Sequence, residues 1–175
     1  MARQCAILTC VTNIGGRGPG HSALVVDDTV HTFENAGDWF SLPTRERSGW
    51  RRFGRAAYLA QNTQRPVIVQ VLDRVRVDAA DAEAYVARST ADDDDYIGSG
   101  VCSSQVANAV DAASPTLVFN PRGIDTPYKV FHLARTMGLA TTTYAIWAGT
   151  NANASAKLAK DYPSVTTTRA AFAWF

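Results

Sequence analysis

The stretch His21-Ser22-Ala23-Leu24-Val25-Val26-Asp27-Asp28-Thr29-Val30-His31-Thr32-Phe33-Glu34 constrains the fold more than any other part of the chain. Two β-prone runs are joined by a pair of aspartates, which is the pattern of an antiparallel hairpin. Side chains alternate across a strand, so the length of the turn decides which residues share a face. With Asp27-Asp28 as a two-residue turn, Val26 faces Thr29, and His21 shares a face with Glu34 while His31 points to the other side. With a three-residue turn the parity flips, and His31 and Asn35 join the face of His21. Glu34 is the favoured companion, because a carboxylate holds an imidazole in one tautomer and stabilises its charged form.

Around the hairpin the chain alternates strands and helices. Ala6 to Thr12 reads as a strand, and Arg65 to Leu72, β-branched and largely apolar, as a central buried one. Asp78 is a suitable N-cap for a helix over Ala79 to Ser89. Pro127 starts a helix over Tyr128 to Met137 that Gly138 ends. Thr141 to Trp147 forms another strand, and Ala154 to Lys160 a short helix. Residues 36–55 show no regular period. With 175 residues and 46% hydrophobic content, one core and one domain, residues 1–175, are expected. The fold class is α+β: an antiparallel sheet packed against helices, one of which carries Cys102.

A net charge of +1 argues against bulk nucleic acid as a partner, and no apolar run approaches the ~20 residues of a membrane span. The N-terminus lacks the apolar core and cleavage site of a secretory signal, so synthesis in the cytoplasm is expected. Arg45 to Arg55 interleaves arginines with Trp50 and Phe53. It reads either as a basic aromatic binding surface or as a connection whose rings anchor to the core while the arginines stay solvated. The glycine-rich loop Asn13 to Gly20 lacks the Lys-Ser/Thr of a phosphate-binding loop and reads as a flexible lip beside a site. Asp92-Asp93-Asp94-Asp95 lacks the glycine and terminal glutamate of a calcium loop and reads as solvated. No cofactor or metal is implied.

Three cysteines, Cys5, Cys10 and Cys102, support neither a disulfide framework nor a zinc site. Cys5 and Cys10 are strand residues on opposite faces. Cys102 opens a run with apolar Val106, Ala109, Val110 and Ala113 at helical spacing, after Gly98 and Gly100. In the first turn of a helix, free N–H groups and the positive end of the dipole favour thiolate. The other reading of Cys102, a small buried hydrophobe, stays open from these residues alone.

Gly20-His21-Ser22-Ala23-Leu24-Val25-Val26 followed downstream by Val101-Cys102-Ser103-Ser104-Gln105-Val106 resembles the papain-like superfamily in its circularly permuted form. That branch includes permuted NlpC-type cell-wall peptidases and lecithin:retinol-acyltransferase-like proteins. The resemblance implies Cys102 as nucleophile, His21 as base and Glu34 as third residue, with His31 or Asn35 in the other register. It also implies an oxyanion hole using the Cys102 N–H, to which Tyr96 adds a hydroxyl. By the same resemblance the chain is a cysteine amidase or endopeptidase acting on peptidoglycan peptides. A toxin exported by type VI secretion into the periplasm of rival cells, with an immunity protein and a secretion carrier as partners, is the biological expectation. The alternatives are an acyltransferase or thioesterase using the same Cys-His pair, and a non-catalytic module binding through Arg45 to Arg55.

Overall fold

The computed structural model describes residues 3–13, 20–34, 49–91, 102–114 and 126–168, with Glu34, Thr90 and Ala91 described by their backbones only. The seven strands among the described residues are β1 (Cys5–Cys10), β2 (His21–Val26), β3 (Thr29–Glu34), β4 (Gly49–Gly54), β5 (Val67–Leu72), β6 (Ala140–Ile146) and β7 (Thr166–Thr168). The described helices are α1 (Arg55–Gln61), α2 (Ala79–Ala91), α3 (Cys102–Ala112), α4 (Pro127–Thr136) and α5 (Ala152–Asp161). All the strands belong to one sheet in the order β4-β3-β2-β1-β5-β6-β7. Every neighbouring pair is antiparallel except β6 and β7. This is the mixed α and β class with a mostly antiparallel sheet. None of the described helices is long and apolar enough to cross a membrane.

The central strand β1 is buried at every position, which its run of Cys, Ala, Ile, Leu and Thr allows. Alternation sends Cys5 and Ile7 to one face, where they join Leu24, Val26, Phe33 and Leu72 beneath α2, α3 and α4. Ala6, Leu8 and Cys10 go to the other face with Ala23, Val25, Val69 and Tyr58 of α1. A third cluster joins Ile68 and Ala145 of the sheet to Phe131 of α4 and Leu158 and Tyr162 at α5.

Several helix boundaries follow local chemistry. Asp78 Oδ1 accepts from Ala80 N at 2.7 Å and from Asp81 N at 3.2 Å, filling donors that the first turn of α2 leaves open. Thr126 caps α4 ahead of Pro127, and Asn151 caps α5. After α4, Gly138 takes a φ of +63°, which suits glycine beyond a helix end.

Two elements fall where the sequence shows no clear period. Gly49–Gly54 pairs with β3 as an edge strand and runs directly into α1. Trp50 is buried against Phe33, with ring centroids 5.7 Å apart in an edge-on arrangement, and donates from Nε1 to Ser89 Oγ at 2.7 Å. Arg51 and Arg52 lie exposed. Within β4 the aromatic Trp50 therefore anchors the strand while the two arginines face solvent.

Gly20 immediately precedes β2 with φ +89°, and a Cβ built there would lie 2.0 Å from the Cys10 carbonyl oxygen. Backbone meets backbone at this point, so no side chain can give way. Gly20→Ala is expected to destabilise the protein by about 2 kcal/mol or more, read as a lower urea midpoint. A midpoint equal to that of the parent protein would show that the approach is not close.

Candidate functional site

The hairpin register is Val26↔Thr29, Val25↔Val30, Leu24↔His31 and Ala23↔Thr32, so the turn has two residues. Asp27 accommodates the tight reversal with φ 53°. By alternation His21 shares a face with Thr32, and His21 Nε2 is hydrogen bonded to Thr32 Oγ1. His31 leaves the opposite face. It is fully buried on the helix side, and neither of its ring nitrogens has a hydrogen-bond partner among the described residues.

Glu34 pairs with Gly49 through its backbone, and its side chain lies outside the described residues. Asn35, Tyr96 and the aspartates 92–95 also lie outside them, as do Gly15 to Pro19. Thr32 was not among the sequence candidates. A β-branched hydroxyl residue in a strand looks like any other strand residue, and only the hairpin parity identifies it as the diagonal neighbour of His21.

In a ladder closed by a two-residue turn, hydrogen-bonded and non-bonded pairs alternate. Extending that pattern outward would give the Ser22 N–H to Phe33. Pairing between β2 and β3 stops at Ala23↔Thr32, however, while β3 continues alongside β4 to Glu34. The Ser22 N–H donates instead to Cys102 Sγ at 3.4 Å. Cys102 is the first residue of α3, half-buried, and packed beside the helix-side core. The sulfur thus sits where the hairpin opens, one residue along from His21. Among the described residues no hydrogen bond joins the His21 ring to the sulfur. The structure sets the sulfur at the strand position next to His21, but the imidazole is held by Thr32 on the α1 face while Cys102 packs with the helix-side core.

Charge at the site is set by burial. Burial raises the Cys102 thiol above its ordinary range, and the backbone N–H groups of Ser22 and Ser103 only partly offset it. The helix start therefore does not produce a resting thiolate, contrary to what its position alone implies. Burial also lowers His21 to about 4, with the nearby Arg65 cation acting in the same direction. The resting pair is neutral thiol and neutral imidazole. The other two cysteines are fully buried, and burial drives Cys5 up to about 12 and raises Cys10. Cys10 Sγ contacts Tyr58 Oη at 3.5 Å. Among the described residues no group of three or more His, Cys, Asp or Glu is placed to hold a metal ion.

Two measurements check this electrostatic picture. Iodoacetamide labelling should modify Cys102 alone, at a rate still rising through about pH 9; a plateau near neutrality would contradict the burial argument. A neutral His21 is favoured by folding, since its folded pKa of about 4 lies below the ordinary 6.5. Its contribution is complete above about pH 6.5 and is lost as pH falls toward about 4, on the order of 3 kcal/mol in all. His21→Gln should flatten the fall of unfolding free energy across that interval, and an unchanged slope would refute the assignment.

Comparisons of the chain with family models, with curated proteins and with solved structures find no match.

Proposed function

We propose that the protein is a cysteine hydrolase of the circularly permuted papain-like type, cleaving an amide bond through an acyl-enzyme. The observation that carries this reading is the 3.4 Å contact between Cys102 Sγ and the N–H of Ser22, the residue next to His21. It places a half-buried thiol at a helix start beside the only histidine at the mouth of the hairpin among the described residues. A structural cysteine would be expected in the packed interior, where Cys5 and Cys10 are.

The mechanism follows from the resting charges. With Nε2 engaged on Thr32, Nδ1 is the nitrogen available to act as base. A thiol raised by burial and an imidazole lowered to about 4 do not exchange a proton before substrate arrives. Proton transfer to His21 accordingly accompanies attack of sulfur on the carbonyl carbon. For this transfer the imidazole, held by Thr32 on the α1 face, has to turn toward the sulfur, which packs with the helix-side core. The C–N bond then breaks as His21 returns the proton to the leaving amine. Water, deprotonated by the same imidazole, hydrolyses the thioester and regenerates the thiol. Backbone N–H groups at the start of α3 are the donors for the developing oxyanion. The Thr32 hydroxyl keeps the proton of the base on Nε2, the part that Glu34 plays in the sequence reading.

The preferred substrates are the peptides of bacterial peptidoglycan, and the preferred setting is a toxin delivered to rival cells and countered by an immunity protein. Both rest on the sequence resemblance.

Digestion of purified peptidoglycan with muropeptide profiling tests the reading. The parent protein should release new fragments, Cys102→Ser none, and His21→Ala between about 10² and 10⁴-fold fewer per unit time. Thr32→Val should fold and retain Cys102 labelling while losing about tenfold or more in rate, since the ring then lacks its orienting partner. Absence of any fragment with the parent protein, coupled with hydrolysis of p-nitrophenyl esters that Cys102→Ser abolishes, would replace the amide substrate with an ester. Full activity in Cys102→Ser would end the proposal.

A further inference from the structure

On the α1 side of the sheet, a cavity of about 270 Å³ opens between α1 and the ends of β5 and β6. Leu59, Val67, Ile146 and Trp147 supply its apolar walls, and Asn62 and Arg65 supply its polar end. Arg65 is 8% exposed. Its Nε and Nη2 donate to Asn62 Oδ1, and Nη1 donates to the Thr12 carbonyl at 2.7 Å. Asn62 is itself the C-cap residue of α1 and is fixed by an Nδ2 bond to the Tyr58 carbonyl at 2.7 Å. All of these partners are neutral.

Among the described residues no carboxylate pairs with Arg65. Buried cations are ordinarily paired, because dipoles alone replace the lost hydration incompletely. A guanidinium carries five N–H donors, so two remain after the bonds to Asn62 and Thr12. The uncompensated charge acts beyond the cavity too, since Arg65 is the second cause lowering His21.

We infer that this cavity binds a small monocarboxylic acid with a hydrocarbon body, its carboxylate on the spare N–H groups of Arg65 and its chain along Leu59, Val67, Ile146 and Trp147. Small-molecule sites combine apolar walls with a few fixed polar groups in this way, and a carboxylate matches the planar guanidinium. A compact, strongly hydrated anion such as phosphate would shed its water against walls that return no hydrogen bonds. The inference is independent of the Cys102 chemistry, and its test does not read catalysis.

Titration calorimetry with sodium n-octanoate, octan-1-ol and sodium acetate as probes decides the matter. Octanoate should bind the parent protein, octan-1-ol at least about tenfold more weakly, and acetate not measurably. Ala60→Trp, at an exposed position of α1 on the cavity wall, should abolish octanoate binding without altering the circular dichroism. Arg65→Met should reduce octanoate to the affinity of octan-1-ol. If Arg65→Met fails to fold, Ala60→Trp and the octan-1-ol comparison still decide. Equal affinities for octanoate and octan-1-ol, no octanoate binding by the parent, or undiminished binding by Ala60→Trp would each overturn the inference.

Discussion

The parity of the Asp27-Asp28 turn governs the arrangement of the site. Closing the hairpin at Val26↔Thr29 sends Leu24, Val26, His31 and Phe33 toward the helices, and His21, Ala23, Val25 and Thr32 toward α1. One residue more in the turn would leave β2 in place against β1 but turn β3 over, bringing His31 onto the face of His21 and removing Thr32 from its reach. The same parity aims the Ser22 N–H at the gap where β2 and β3 part, which Cys102 Sγ fills. Imidazole and thiol thus approach one strand position from its two sides.

The electrostatics of the site add to this geometry. Desolvation acts oppositely on the two titrating groups, raising the acid and lowering the base, so both are neutral at rest. Two backbone donors pull the thiol back toward ionisation without overcoming burial. A neutral pair avoids keeping two opposite charges in a poorly solvated pocket; in the proposed hydrolase, charge separation waits until a developing oxyanion shares the available donors. Arg65 reinforces this state from the α1 side through a positive charge that no described carboxylate offsets.

Much of the fold was legible because its elements are locally self-consistent. The hairpin, Val67 to Leu72, and the helices begun by Asp78 and Pro127 have matching period, cap and turn residues. Gly49 to Gly54 was not legible. Its two arginines interrupt the apolar alternation, and its identity as a strand comes from pairing with β3, a contact distant in sequence. The sequence singles out Cys102 and His21 as candidates by their context but not Thr32, because a threonine in a strand carries no mark of what its hydroxyl meets. The helix position of Cys102 favours thiolate, whereas burial, which depends on packing that local sequence does not encode, raises the thiol. The cavity beside Arg65 was invisible for the same reason: Leu59, Val67 and Trp147 converge only once β5 and β6 pair and α1 packs against them.

The rim strand β4 has a consequence for how copies of this chain meet one another. An open sheet offers unsatisfied backbone groups at its margins, and such margins template intermolecular pairing. Here one margin presents adjacent exposed arginines, Arg51 and Arg52, and the opposite margin is the three-residue β7. Like charges repel across any register in which two β4 margins align, and so short a β7 gives a newcomer little to zip onto. Among the described residues both borders of the sheet thereby disfavour edge-to-edge pairing.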